Sequence, residues 1–282
     1  MAIADRLRAA REASPAGEMP FLDHLEELRW RILWSLVALV VGAIAGFFIV
    51  LRFNVMWILL EPVRRAFEDP DLRLIALSPA DTFWVTMRLG IAVGVLLALP
   101  IVVYHIWRFL SPALEKQEKR AIIPALYLGL VLFCAGVAMA YFLALPLTLE
   151  FFQLLQEDFV EHQLEVSKTL GFITTLLLVF GVIFELPVVI MVLTAVGLVT
   201  PDFLRSKRRH AIVLITIGAS LISPGDVITL TIMMMVPLIL LYEMGIHLSA
   251  GIFRRKLQRQ AEWERQTSPS PEAPPGSVEA DR

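Results

Sequence analysis

The sequence predicts an all-α polytopic membrane protein with six transmembrane helices. Of its 282 residues, 57% are apolar and 18% are charged, against about 45–50% and about 25% in soluble domains. The net charge of -2 excludes a broadly basic nucleic-acid-binding protein. The single cysteine, Cys134, excludes an intramolecular disulfide and any multi-cysteine metal site. We therefore expect no metal, no other cofactor and no nucleic-acid partner.

Four long apolar runs predict four helices that each cross a bilayer, for which about 20 residues are needed. The second run extends upstream through Phe83 across Arg88, and the fourth is interrupted only by Glu185. The four runs are residues 32–51, 89–107, 121–149 and 169–200.

The last apolar region has two interpretations, because residues 211–225 and 227–242 are short and flank Asp226. They form either one long helix or two short spans joined by a turn at residues 223–226 (SPGD). Pro and Gly beside Asp favour a turn. We therefore predict a hairpin, six helices in total, and a locally thinned bilayer around the last two, which are unusually short.

The distribution of Lys and Arg predicts the orientation. Four segments carry 19 of the 25 basic residues: those through Arg31, at 108–120, at 205–209 and after His247. We therefore expect a multi-pass protein of the cell membrane with both termini in the cytoplasm. Residues 1–18 should be a flexible cytoplasmic N-terminus without the apolar region of a cleavable signal, residues 19–250 the six-helix domain, and residues 251–282 a cytoplasmic basic segment and a disordered tail.

The usual sequence signatures of membrane enzymes are absent. The chain has no H-E-x-x-H zinc motif, no G-x-S-x-G nucleophile elbow and no Walker A loop. We therefore expect a protein that is not an enzyme.

Acidic residues stand beside the first span, where Lys and Arg are the usual choice. Residues 21–29 (FLDHLEELR) predict an amphipathic helix at the cytoplasmic interface, with Glu26 and Glu27 beside its apolar face. The acids suggest a cationic ligand. The alternative is a solvated face, or acids that favour a helix N-terminus.

The loop at residues 108–120 combines an aromatic residue with an acid. Pro112 would fix a turn that presents Phe109 and, further on, Glu118 toward the same surface as Glu27. The alternative is simple anchoring by basic residues, with incidental acids.

Glu185 lies in the middle of the fourth apolar run, where a carboxylate costs at least ~2.5 kcal/mol. We expect it to face protein, water or a substrate path, in a cavity open to water on one side. Pro187 should kink the helix beside it. Arg88 is either its partner or a side chain that reaches the outer interface.

Together, six motifs resemble the TatC family, the core receptor subunit of the twin-arginine protein translocase. They occur in the family's order between about residues 21 and 247. The motifs are HLEELRWRI, SPADTF, FLSPAL followed by Glu118, AYFLALPL, FELPV and SPGD.

This resemblance implies a six-helix receptor that binds signal peptides bearing paired arginines and exports folded proteins, powered by the proton-motive force. It implies an oligomeric complex with TatA- and TatB-type single-span subunits along the fifth and sixth helices, within membrane lipid. Glu27 and Glu118 correspond to the acids that recognise the arginine pair, and Arg29 and Phe109 to neighbouring functional positions. Further positions important to the family are Pro62, Phe83, Tyr141, Glu185 and Asp226.

The residues alone also allow a proton-coupled secondary transporter that uses Glu185 as a relay, or a membrane scaffold. A transporter would be expected to have inverted repeats, which the sequence does not display. A scaffold would leave the intramembrane acid unexplained.

Overall fold

The computed structural model describes residues 21–69, 72–110, 122–154, 163–222 and 229–267. Within these ranges the chain is helical apart from short connections and one backbone bridge, which confirms the all-α prediction. The helices are α1 (Phe21–Arg52), α2 (Val55–Ala66), α3 (Asp81–Leu110), α4 (Ile122–Met139), α5 (Leu145–Leu154), α6 (Val166–Phe184), α7 (Leu186–Val196), α8 (Pro201–Ser206), α9 (Arg208–Ile222) and α10 (Thr229–Thr267), with a π-helical turn at Ala140–Ala144 between α4 and α5.

Five helical segments of the described chain are long and apolar enough to cross a membrane, which makes this a multi-pass membrane protein. Four of them overlap the four long apolar runs of the sequence. Helix α9 has 15 residues and is not among the five. The segments are Leu25–Arg52, Asp81–Phe109, Tyr127–Gln153, Val166–Val196 and Met234–Trp263.

Helices α1 and α3 pack backbone against backbone through two pairs of glycines. A Cβ on Gly46 would lie 2.2 Å from the carbonyl oxygen of Gly90, and one on Gly42 would lie 2.6 Å from that of Gly94. Glycines four residues apart allow this close approach of membrane helices. Because the later glycine of α1 faces the earlier glycine of α3, the two helices are antiparallel.

The buried core lies where α4 packs on α6 and where α7 packs on α10. Glycines again make room between α4 and α6: Gly136 lies under the ring of Phe184, and Gly181 lies under the ring of Phe133. Aromatic rings therefore fill the space that two missing side chains leave.

Polar contacts join α10 to α7, α8 and α9. The Thr194 and Ser249 hydroxyls lie 2.7 Å apart between α7 and α10. Tyr242 Oη donates to the Leu204 carbonyl in α8 over 2.9 Å. These contacts and the ion pair described next fix α10 against the segment from α7 to α9.

The expected hairpin at the end of the chain is supported by the pairing of α9 with α10. Arg208 and Glu243 form an ion pair at 2.7 Å, and Thr216 Oγ1 lies 3.1 Å from Met235 Sδ. Eight residues forward along α9 thus match eight residues back along α10, which is the register of two antiparallel helices rather than one long helix. The predicted turn at residues 223–226 lies outside the described residues.

The expectation that both last helices are short is wrong for α10, which has 39 residues. It continues past the apolar run, because residues 243–267 contain no Pro and many Lys, Arg and Glu, which are good helix formers. The helix therefore crosses residue 250, where we expected the membrane domain to end.

Residues 21–29 are helical, as expected, but they do not form an interfacial helix distinct from the first span. This segment and the first span form the single helix α1. Between Arg29 and the first apolar run there is no Gly, Pro or capping residue that would end a helix.

Candidate functional site

The first candidate acid, Glu27, lies in the first turns of α1 and binds Arg31 one turn further on. Arg31 Nε donates to Glu27 Oε1 over 3.0 Å, and Nη2 of the same guanidinium bonds the same oxygen. The side chains of Arg31 and Glu27 are only 15% and 21% exposed. A carboxylate that engages an arginine is thus already present here.

The register of α1 on α3 sets what lies next to this acid. Glu27 is 15 residues before Gly42, and Phe109 is 15 residues after Gly94, so the antiparallel pairing brings them to the same level. Arg29 is two residues further along α1 and is exposed. Glu118 lies outside the described residues.

Glu185 occupies the break between α6 and α7, as the neighbouring proline predicts. Pro187 cannot donate to the carbonyl four residues back, so the helix ends at Phe184 and restarts at Leu186. Glu185 is half-buried, and a Cβ on Gly129 of α4 would lie 3.0 Å from Oε2. Its Oε1 is buried without a hydrogen-bond partner among the described residues. The carboxylate thus faces protein on the side of α4, which is one of the surroundings that we expected for it.

The suggested pairing of Glu185 with Arg88 is wrong. The Arg88 guanidinium lies over Gly171, at 2.3 Å from where a Cβ would stand. Gly171 is 14 residues before Glu185, which is about 21 Å along a helix.

A second cluster forms at the other end of the bundle and contains two of the predicted residues. Pro62 is buried inside α2 and leaves the Ile58 carbonyl, four residues earlier, without its helical donor. Tyr141 Oη donates to that same carbonyl over 2.6 Å. Tyr141 projects from the π-helical turn, where Leu145 N–H bonds the Ala140 carbonyl five residues back.

Pro62 and Tyr141 also line a cavity of about 360 Å³ that carries charges of both signs. Phe83 does not join it: its side chain is 51% exposed and contacts Trp84 edge to face at 5.5 Å. Asp226 lies outside the described residues. The cavity is lined by Glu61, Pro62, Arg65, Ala66, Tyr141, Phe142, Pro146 and Glu150.

Sequence reasoning missed helix α2 and its second anchor. Gln153 Nε2 donates to the Ala66 carbonyl over 2.5 Å, so the last turn of α2 is also held by a distant side chain. The sequence did indicate this helix through the amphipathic pattern of residues 55–66. In the structure Val63 is fully buried.

Comparisons with known proteins agree on one family. A family profile described as "Sec-independent protein translocase protein (TatC)" matches residues 23–237. The protein of that name from Aquifex aeolicus is 38% identical over 249 residues, which cover 86% of this chain and 99% of the relative. TatCy of Bacillus subtilis is 31% identical over 246 residues, or 87% of this chain and 94% of the relative.

A solved structure has the same fold. The crystal structure described as "Twin Arginine Translocase Receptor- TatC" superposes with a TM-score of 0.66 at 36% identity, covering 82% of this chain and 99% of that one. A second crystal structure of such a receptor, in DDM, gives a TM-score of 0.67 at 36% identity, covering 80% of this chain and 99% of that one.

Proposed function

We propose a function from the premise that this chain belongs to the TatC family and is a core component of the Sec-independent twin-arginine translocase. In our proposal it is the subunit that binds signal peptides with paired arginines and starts the export of folded proteins, driven by the proton-motive force. The observation that carries this is Glu27, a part-buried carboxylate that already binds a guanidinium.

Recognition requires Glu27 and Glu118 together, with contributions from Arg29 and Phe109. A carboxylate pairs bidentately with the planar guanidinium of Arg but only as a point charge with Lys, which explains a preference for arginine. One exposed pair contributes about 1 kcal/mol or less, so two acids and an apolar contact such as the Phe109 ring are needed. Arg31 holds Glu27 until a signal arginine replaces it.

The membrane topology that we propose has six crossings, with both termini in the cytoplasm of the cell. Helix α9 is the extra crossing: its 15 residues extend about 22 Å, and it pairs with α10 along an antiparallel register. The positions of the basic residues support this orientation, because 19 of the 25 fall in segments on one side. Residues 1–18 and 251–282 are then cytoplasmic extensions of the domain at 19–250.

The partners are TatA- and TatB-type single-span subunits, which dock along α9 and α10 in an oligomeric complex. The shortness of α9 supports a thinned bilayer at this place. Pro62 and Tyr141 maintain the structure at the end of the bundle opposite Glu27. Phe83, Glu185 and Asp226 act where partners or cargo contact the membrane domain.

The test is photo-crosslinking of a twin-arginine signal peptide to the full chain in membranes. We expect Glu27→Gln and Glu118→Gln each to weaken crosslinking and the double variant to abolish it. Glu26→Gln, which removes an exposed acid beside Glu27, is the matched control and should bind normally. Unchanged crosslinking in the double variant would refute the assignment.

The export of a folded reporter separates this function from a proton-coupled transporter. A reporter with paired Arg should be exported by a strain whose only receptor is this chain, and one with paired Lys should not. Loss of small-molecule uptake in Glu185→Gln with export intact would favour the transporter instead.

A further inference from the structure

Arg88 is a charged side chain of a membrane-spanning helix that has no ionic partner where the chain is described. It is the eighth residue of α3, about 10 Å from the start of the helix. Its side chain is exposed, and no hydrogen bond or ion pair joins it to another described residue. A guanidinium at this depth is costly unless an anion or water meets it.

Gly171 of α6 provides a place for this guanidinium. Nη1 of Arg88 lies 2.3 Å from the position that a Cβ on Gly171 would take, so any other residue here would displace the arginine. The guanidinium therefore lies at the junction of α3 and α6, on the side of the membrane where both helices begin.

An apolar cleft begins at Leu89, beside Arg88, and lies between α3 and α6, with α2 and α4 completing its walls. Ala92 of α3 and Thr174 of α6 line it, one turn beyond Arg88 and Gly171 respectively. Thr174 is the cleft's one polar side chain, and its hydroxyl donates to the Leu170 carbonyl over 2.6 Å, so the cleft offers no free polar group.

The size of the cleft limits what can enter it. Its volume is about 180 Å³, and it follows α3 from Leu89 to Leu96, about 10 Å. The cleft is lined by apolar side chains apart from Thr174, which suits it to a single hydrocarbon chain.

We propose that this is a phospholipid site in which Arg88 binds the phosphodiester and the cleft between α3 and α6 holds an acyl chain. The occupant is a lipid of the leaflet at which α3 and α6 begin. Helix α3 has 30 residues, about 45 Å, which matches a whole bilayer of about 40–45 Å. A residue 10 Å from its start thus lies close to the level of the lipid phosphates, within reach of an arginine. The bound lipid would fill the space beneath α2, whose Val55 and Leu59 also line the cleft.

The test is a lipid titration of the full chain in detergent, followed by native mass spectrometry. The two probes are dioleoyl phosphatidylglycerol and dioleoylglycerol, which share acyl chains and differ in the phosphate. We expect one equivalent of the phospholipid to bind about tenfold more tightly than dioleoylglycerol, as a charge-assisted bond requires. Arg88→Gln should remove this difference, Arg88→Lys should keep part of it, and Ala92→Phe should weaken both probes.

Arg52→Gln is the matched control, because Arg52 is an exposed arginine at the end of α1 on the same side of the membrane. It should bind the phospholipid as the wild type does. Equal binding of the two probes, or the same loss in both arginine variants, would overturn the proposal. Stoichiometric displacement of the lipid by a twin-arginine signal peptide would assign the cleft to the peptide and overturn it as well.

Discussion

Replacing Gly46 by alanine tests whether the contact between α1 and α3 positions the recognition acid. Helix α1 packs mainly on α3, so the fit of the glycines decides where its other residues stand. A methyl group on Gly46 meets the Gly90 carbonyl oxygen at 2.2 Å and the Gly94 nitrogen at 2.7 Å. Both are backbone atoms, which no change of rotamer can move.

The geometry gives the size of the effect. Ordinary contact begins near 3.4 Å, so the helices must separate by roughly 1.2 Å at this point. Overpacking of this kind costs about 1–3 kcal/mol. On the scale of large soluble domains, each kcal/mol lowers the melting temperature by about 2–4 °C. The separation also moves Glu27 away from Phe109, so signal-peptide crosslinking should fall together with stability.

Thermal unfolding in detergent and signal-peptide crosslinking are the two measurements. Gly218→Ala is the control, because a Cβ on Gly218 of α9 meets nothing within 4 Å. It should leave stability unchanged or raise it through better helix propensity. If Gly46→Ala has the same melting temperature as Gly218→Ala and crosslinks to the signal peptide normally, the glycine contact does not position the site.

Two further predictions concern hydrogen bonds between helices. Tyr141→Phe should lower the free energy of unfolding by about 0.5–1.5 kcal/mol, and by less in a Pro62→Ala background, where residue 62 regains an N–H for the same carbonyl. Melting temperatures of the two single variants and the double variant measure this, with Tyr127→Phe as the exposed control. If the effects of Tyr141→Phe and Pro62→Ala simply add, the account is excluded. Thr194→Val should lower the free energy of unfolding by about 1–3 kcal/mol, because it leaves the buried Ser249 hydroxyl without its partner. Adding Ser249→Ala should recover part of this stability. A second loss of equal size in the double variant would contradict the pairing.

The long spans could be predicted because run length and hydrophobicity decide them locally. The break at Pro187 is equally local, since one missing N–H ends α6. The start of α1 and the end of α10 were predicted wrongly for a related reason. A change from apolar to charged residues marks a membrane boundary but does not end a helix unless Gly, Pro or a cap accompanies it.

Helix α2 could not be predicted in this way, because its anchors are distant in sequence. Tyr141 and Gln153 follow their acceptors Ile58 and Ala66 by 83 and 87 residues. For the site, the sequence placed Glu27 and Phe109 on one surface, and the α1–α3 register supports this. The pairing of Arg31 with Glu27 was missed, although a spacing of four residues along a helix allows it.

The anchoring of α2 has a consequence for how freely its sequence can change over evolutionary time. The acceptors at Ile58 and Ala66 are backbone carbonyls, which every amino acid supplies, and the bridge between Ile75 and Glu165 is likewise made by main-chain groups. The donors Tyr141 and Gln153 are side chains and have few substitutes. Natural variation should therefore accumulate at the acceptor positions, while the two donors change rarely.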